Sequence, residues 1–296
     1  MASGRSGRLP RRRPHLDPLG VRSLVVPDDI DTPRESSGER FDRAAAAVTA
    51  ARSQLRDAAD MEALATARIE GMGEVPYGSN AVFLLQLEAP DPAARDQPMR
   101  AVYKPARGER PLWDFPRHTL YLREVATYFV DAALGLGHVP ATALRDGPFG
   151  PGSAQLFVHP ANRRPSTAEA ADLEMQLRDV AMLDVLVNNA DRKRSHLLVT
   201  TAMCIAAIDN ALTFLPYPRQ RTALLSFGGS QLPQRTAQRV RDLARDAQRL
   251  DTLRAVLSAL LSGREVTAFT HRVRELAADP TYPVLDDWDG RPFEWW

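Results

Sequence analysis

The stretch 184–214, DVLVNNADRKRSHLLVTTAMCIAAIDNALTF, constrains the fold more than any other part of the chain. An apolar helical pattern over 167–187, with Leu173, Leu177, Val180 and Leu183 at helical spacing, ends in a run of Asn and Asp. Residues 188–196 are polar and read as a loop, because Asn and Asp favour turns. Two short β-like runs follow, 197–200 and 204–208, at hairpin spacing, and Asp209 closes the second. Asp184, near the helix end, is expected to brace the loop by accepting backbone N–H bonds. Each piece alone is an ordinary helix or strand end; their succession brackets a hairpin between two acids, Asp191 and Asp209.

Composition bounds what can surround this ribbon. With 296 residues and 44% apolar content, the chain can bury one two-lobed domain with an appendage, or two small domains. A net charge of +1 argues against dedicated nucleic-acid binding. The single Cys204 rules out an internal disulfide and fits a reducing compartment. No apolar run reaches membrane-spanning length, and the Arg-rich N-terminus lacks the apolar core of a secretory signal. A cytoplasmic location is expected.

Residues 1–39, rich in Arg, Pro, Gly, Ser and Asp, read as disordered, and 40–67 as one or two helices whose first part is poorly anchored. Strands are expected at 68–75 and 81–88, around a turn at 76–80. A third strand, 99–104, sets Ala101 and Tyr103 on one face and Val102 and Lys104 on the other. Trp113 and Phe115 are expected to form a local hydrophobic cluster holding the loop 108–116. The helix 119–134, ended by Gly135, carries an apolar stripe of Tyr121, Val125, Tyr128, Phe129 and Ala132, with Glu124 beside it. Further strands are expected at 138–144 and 154–158, then a linker at 159–165. Beyond the irregular stretch 215–229, one helix is marked by Val240, Leu243, Ala247 and Leu250, and a second by Leu253, Val256, Leu257 and Leu260, ended by Gly263. A third is marked by Phe269, Val273 and Leu276. The aromatic tail, Trp288 and 293–296, is expected to dock on the surface. No P-loop motif occurs.

Loop, hairpin and acid together have the layout of a phosphotransferase site: an Asp facing the acceptor, then residues that hold metal against ATP phosphates. Asn189, Asp191 and Arg192 match an N-x-D-R-x-x-x-N pattern, with His196 at its last position, and 208–214 reads I-D-N-A-L-T-F. Both motifs resemble those of the phosphatidylinositol 3/4-kinase-like superfamily. N-N-A-D-R-K-x-x-H, with Y-K-P-x-R-G-E-R-P-L-W-D-F-P at 103–116, resembles more narrowly an actinobacterial family of kinase-like proteins. The resemblance covers roughly 61–229.

That resemblance implies an α+β, two-lobed protein-kinase-like fold, with a small β-rich N-lobe, a mainly helical C-lobe and a disordered N-terminal extension. The divisions would be 1–58, 59–158 and 159–296. It implies an ATP-dependent phosphotransferase in which Asp191 is the base or acceptor-orienting group and Lys104, paired with Glu124, contacts phosphates. Ser79 and Asn80 would lie at a phosphate-covering hairpin tip. Gln155, Phe157 and Val158 would lie in the nucleotide site at the lobe junction, with backbone bonds to adenine there and Phe157 near the base. His196 and Asp209 would hold Mg²⁺ or Mn²⁺. An imidazole is a softer ligand than the expected Asn oxygen. With Lys193, where lipid kinases often have His, it leaves open a regulatory nucleotide-binding module without turnover. AMP transfer on the same fold is also left open. No acceptor is encoded. A soluble small molecule or protein is expected over a bilayer lipid, because 215–229 offers only Arg219 and Arg221 as charges, with Leu224, Leu225 and Phe227 as its apolar residues. A monomer without a nucleic-acid partner is expected.

Overall fold

Local capping starts the first helix. The computed structural model describes residues 36–53, 55–76, 80–88, 98–286 and 288–292. Ser36 accepts the Glu39 N–H while the Glu39 carboxylate accepts the Ser36 N–H, and α1 runs Ser37–Arg52. Then come α2 (Ala58–Thr66), β1 (Ile69–Glu74), β2 (Phe83–Leu87) and β3 (Met99–Pro105). The helix α3 (Leu120–Leu134) precedes β4 (Thr142–Gly147) and β5 (Gly150–Leu156). The five strands form one antiparallel sheet in the order β1-β2-β3-β5-β4. Alternation along β3 is strict: Met99, Ala101 and Tyr103 are buried, and Arg100, Val102 and Lys104 are part-exposed on the other face.

The second half is helical apart from one ribbon. It comprises α4 (Thr167–Val187), the hairpin β6 (Leu197–Val199) and β7 (Ile205–Ala207), then α5 (Gln234–Arg245), α6 (Ala247–Leu260) and α7 (Gly263–Ala278). The sheet-rich first part and helical second part share one continuous core, running from Leu85 and Tyr103 through α3 to Leu183, Val240 and Phe269. Residues from Ser36 onward form one compact unit. Among the described residues no helix is long and apolar enough to cross a membrane.

Several expectations are corrected. Helix begins at Ser37, within the stretch read as disordered to 39, and residues 1–35 lie outside the described residues. The first helix is anchored: Ala44 and Val48 are buried where α1 packs on α6. β4 and β5 occupy 142–147 and 150–156, so the final strand starts four residues before the expected one and stops before Phe157 and Val158. Gly263 opens α7, because Ser262 and Glu265 form a capping box there. Asp246 ends α5 and caps α6, so Ala247 and Leu250 belong to the second helix. Phe115 is buried with Leu120, Ala190, Ala211 and Leu215, but Trp113 is 83% exposed and takes no part in that cluster. Rather than a stripe, α3 buries nearly its whole circumference, Arg123, Glu124, Thr127 and Asp131 included. The tail 293–296 lies outside the described residues, and Trp288 is exposed.

Candidate active site

A buried ion pair fixes the loop after α4. Helix α4 ends when Asn188 adopts a left-handed backbone, φ 51°, and its side-chain amide donates to the carbonyls of Leu215 (2.9 Å) and Tyr217 (2.7 Å). Asp184 and Arg192 are both fully buried. The guanidinium grips the carboxylate with Nε at 2.9 Å and Nη2 at 2.9 Å, and the Asn189 amide adds a bond of 3.0 Å. Asp184 does brace the loop, but through these side chains rather than through backbone N–H groups. Asn189 in turn accepts the Asp191 N–H at 2.9 Å, which sets the base of the Asp191 side chain.

The hairpin β6–β7 then delivers Asp209 opposite β3. Lys104 Nζ donates to Glu124 of α3 and, at 2.8 Å, to Asp209 Oδ1. The other carboxylate oxygen of Asp209 lies 3.2 Å from His196 Nε2. Lys193 Nζ sits 2.8 Å from Asp191 Oδ2. A cleft of about 290 Å³ brings Lys104, Glu124, His196 and Asp209 together with the apolar Val75, Val82, Val102, Leu198, Ile208, Phe157 and Val158, whereas Asp191 and Lys193 are not among its lining residues. Of the residues singled out by sequence, Asn80, Lys104, Glu124, Gln155, Phe157, Val158, His196 and Asp209 line this one cleft. Gln155 turns its amide away, donating to Thr142 at 2.9 Å, and Asn80 accepts the Arg110 N–H at 2.8 Å. Ser79 lies outside the described residues. A larger groove of about 1120 Å³, beyond Asn188, contains neither Asp191 nor Asp209.

Electrostatics follow from this crowding. The adjacent Lys104 cation, acting against burial, holds Asp209 well below the usual carboxylate range. Lys104 is held well above the usual lysine range, because Asp209 and Glu124 outweigh the burial that opposes its charge. Burial, with the cations Arg192, Lys193 and Lys104, lowers His196 to about 4, so the imidazole is neutral near neutral pH. Asp191 is raised, chiefly by burial, with Lys193 opposing.

The donor set suits a hard divalent ion carried with phosphates. Among the described residues no group of three or more His, Cys, Asp and Glu side chains forms a metal cage. Mg²⁺ binds through one or two carboxylates plus waters and substrate phosphates, so Asp209, with neutral His196 beside it, fits as the protein's share. Such an ion would compete with Lys104 for the Asp209 carboxylate.

The sequence shows two sets of residues without showing what they touch. The first is the set of buried partners that orient the site, Arg192 and Asn210. The second is Lys193 on Asp191, and composition held a signal for it. The chain has only two lysines, Lys104 and Lys193, against thirty-six arginines. Both lysines contact the site's carboxylates. A compact ammonium, unlike a planar guanidinium, acts as a point charge.

The chain matches no protein-family model. It is 32% identical over 271 residues to the Mycobacterium tuberculosis protein Rv2133c, covering 78% of this chain and 93% of that one. Its fold is similar to that of hydra Fam20 solved with sugar, with a TM-score of 0.53, 15% identity, and 76% of this chain and 88% of that one covered. A Golgi casein kinase solved with Mn and ADP bound aligns at a TM-score of 0.47 and 16% identity, over 75% of each chain. The architecture is α+β and kinase-like, sheet-rich first and helical second.

Proposed function

The chain belongs to the protein family of Mycobacterium tuberculosis Rv2133c, and on that premise we propose that it is an ATP-dependent phosphotransferase. One observation carries the reading: among the residues lining the cleft, Lys104 joins Glu124 and Asp209 in one cluster beside the apolar walls. Phosphoryl transfer needs little covalent chemistry from a protein, so positioning and charge neutralisation by this cluster would suffice. In this reading adenine lies between the apolar walls near Phe157, and Lys104, oriented by Glu124, pairs with phosphate oxygens. Asp191 takes the proton of the acceptor hydroxyl as the γ-phosphoryl group passes to the acceptor oxygen and ADP leaves. Asp209 and His196 would hold Mg²⁺ or Mn²⁺, whose chemistry is to neutralise phosphate charge.

Within kinase-like folds, the N-N-A-D-R and I-D-N motifs support kinship with the phosphatidylinositol 3/4-kinase-like superfamily. A soluble cytoplasmic acceptor is favoured over a lipid, since Phe227 packs inward on Tyr282 and offers nothing to a bilayer. Lys193 on Asp191 favours a second reading, a nucleotide-binding regulator whose base is blocked. The test is incubation of the pure protein with Mg²⁺ and ATP labelled at the γ or the α position, with candidate acceptors. Transfer of γ label is expected; α label would mean AMP transfer. Binding without transfer would support the regulator, and no ATP binding under any metal condition would sink both readings.

A further inference from the structure

We propose that Asn210 is a positioning residue that presets both the Lys104–Glu124 pair and the carboxylate of Asp209. Asn210 is fully buried, and each of its polar groups is used. Its backbone N–H donates to Glu124 Oε2 at 2.9 Å. Its side-chain oxygen accepts from Arg192 Nη2 at 2.6 Å, and its amide nitrogen donates to the Ala207 carbonyl at 3.0 Å. Its own carbonyl accepts the Thr213 hydroxyl at 3.0 Å. The asparagine amide offers an acceptor and a donor on one short side chain, and the junction uses one of each.

The geometry of Asp209 shows what the junction does. Asp209 has a left-handed backbone, φ 57°, which a non-glycine residue holds only when its surroundings impose it. Here Arg192 imposes it from both flanks: Nη1 donates to the Ile208 carbonyl at 2.8 Å, and Nη2 donates to the Asn210 side chain. Arg192 is itself clamped by Asp184 of α4. A hydrogen-bonded chain therefore runs Asp184–Arg192–Asn210–Glu124–Lys104, from the first helix of the helical part to a central strand of the sheet. Glu124 receives Lys104 on one oxygen and the Asn210 N–H on the other. If the Asn210 side chain is removed, its backbone N–H remains, but the bonds to Arg192 and Ala207 that fix where that N–H points are lost, so the contact with Glu124 and the flank that holds Asp209 both loosen.

The catalytic consequence rests on the phosphotransferase reading, but the central test does not need ATP. With only two lysines in the chain, acylation by an amine-reactive ester, read by peptide mass spectrometry, reports Lys104 with Lys193 as internal reference. Asn210→Ala is expected to raise the labelling rate of Lys104 relative to Lys193 about tenfold without nucleotide, the scale of one hydrogen bond to a charged group. Asn210→Asp keeps the oxygen for Arg192 but loses the donor to Ala207, and is expected to fall between. In turnover, Asn210→Ala should raise the metal concentration for half-maximal rate about tenfold, where a merely structural lesion lowers the active fraction without moving that midpoint. An unchanged Lys104:Lys193 ratio in a folded Asn210→Ala protein overturns the proposal. If that variant fails to fold, Asn210→Asp carries the same test, and an unchanged ratio there overturns it equally. A changed ratio in a protein that transfers no phosphate would leave the positioning role standing and refute the phosphotransferase reading.

Discussion

Replacing His196 by Gln should flatten one component of the protein's acid response. Burial first, and then Arg192, Lys193 and Lys104, hold the imidazole down at about 4 against the pull of Asp209. In the unfolded chain it returns to about 6.5. Because the folded value is the lower one, the unfolded chain takes up this proton first as pH falls. The contribution of His196 is therefore intact above about pH 6.5 and is lost as pH falls towards about 4. The gap of roughly 2.5 units corresponds to about 3 kcal/mol in full, of which about 2 kcal/mol is lost between about pH 7 and about pH 4.5. Asp131 works the other way: burial pushes its carboxyl up to about 6, so it favours the folded state as pH falls through that value. The wild-type curve alone mixes these two, whereas the difference between wild type and His196→Gln isolates the imidazole. Glutamine keeps an N–H for Asp209 and takes no proton. Urea unfolding in metal-free buffer at several pH values is the assay. Relative to the variant, wild type should lose about 2 kcal/mol from about pH 7 to about pH 4.5. Parallel stability curves for the two proteins would refute the reasoning.

Asp191→Asn should lower turnover by about 10²–10⁴-fold while ATP affinity by calorimetry stays nearly intact; Asp209→Asn should weaken metal-dependent ATP binding, and identical behaviour of the two would refute the division of roles. Asp184→Asn strands the buried Arg192 guanidinium and should cost about 3–5 kcal/mol in denaturant unfolding; a loss under about 1 kcal/mol would mean the pair does not brace the loop. The protein should stay in the supernatant with anionic liposomes at physiological salt. Pelleting that is abolished by Trp113→Ala would instead assign the exposed Trp113, over Arg219 at 5.4 Å, to a membrane contact.

What could be read from the sequence was what local chemistry decides. The span of α4 follows from its apolar spacing and the Asn at its end, and the structure adds a Ser166–Glu169 capping box at its start. The period-two alternation of β3 is enough to put Lys104 on the face opposite Tyr103, which is the cleft face. β5 was harder, since it opens on Gly150-Pro151-Gly152, residues that read as a turn. Pairing with β3 and β4 overrides that local preference. Gly152 is needed there, because a Cβ would lie 2.5 Å from the Lys104 carbonyl and 2.7 Å from the Tyr103 ring. Gly263 misled for the opposite reason: the capping box of Ser262 and Glu265 outweighs a glycine's usual place after a helix. The Arg192–Asp184 pair was not legible as a pair, because burial of a guanidinium is a tertiary fact with no local pattern.

Helix α3 bears on how the site is controlled. Besides Glu124 it carries Arg123, fully buried, which donates to the Thr213 carbonyl, pairs with Glu265 of α7 and stacks over Phe115 at 5.0 Å. Swinging this helix outward to pull Glu124 from Lys104 would expose an unmatched guanidinium and carboxylate, which carries a penalty of several kcal/mol. Rotation of this helix is thus closed to the protein as an on–off control. The Lys104–Glu124 pair is already assembled in this structure, so on the phosphotransferase reading nucleotide capture should follow simple one-step kinetics, with no slow rearrangement ahead of it. On the same reading, control would act on the acceptor side of the cleft or on the supply of metal.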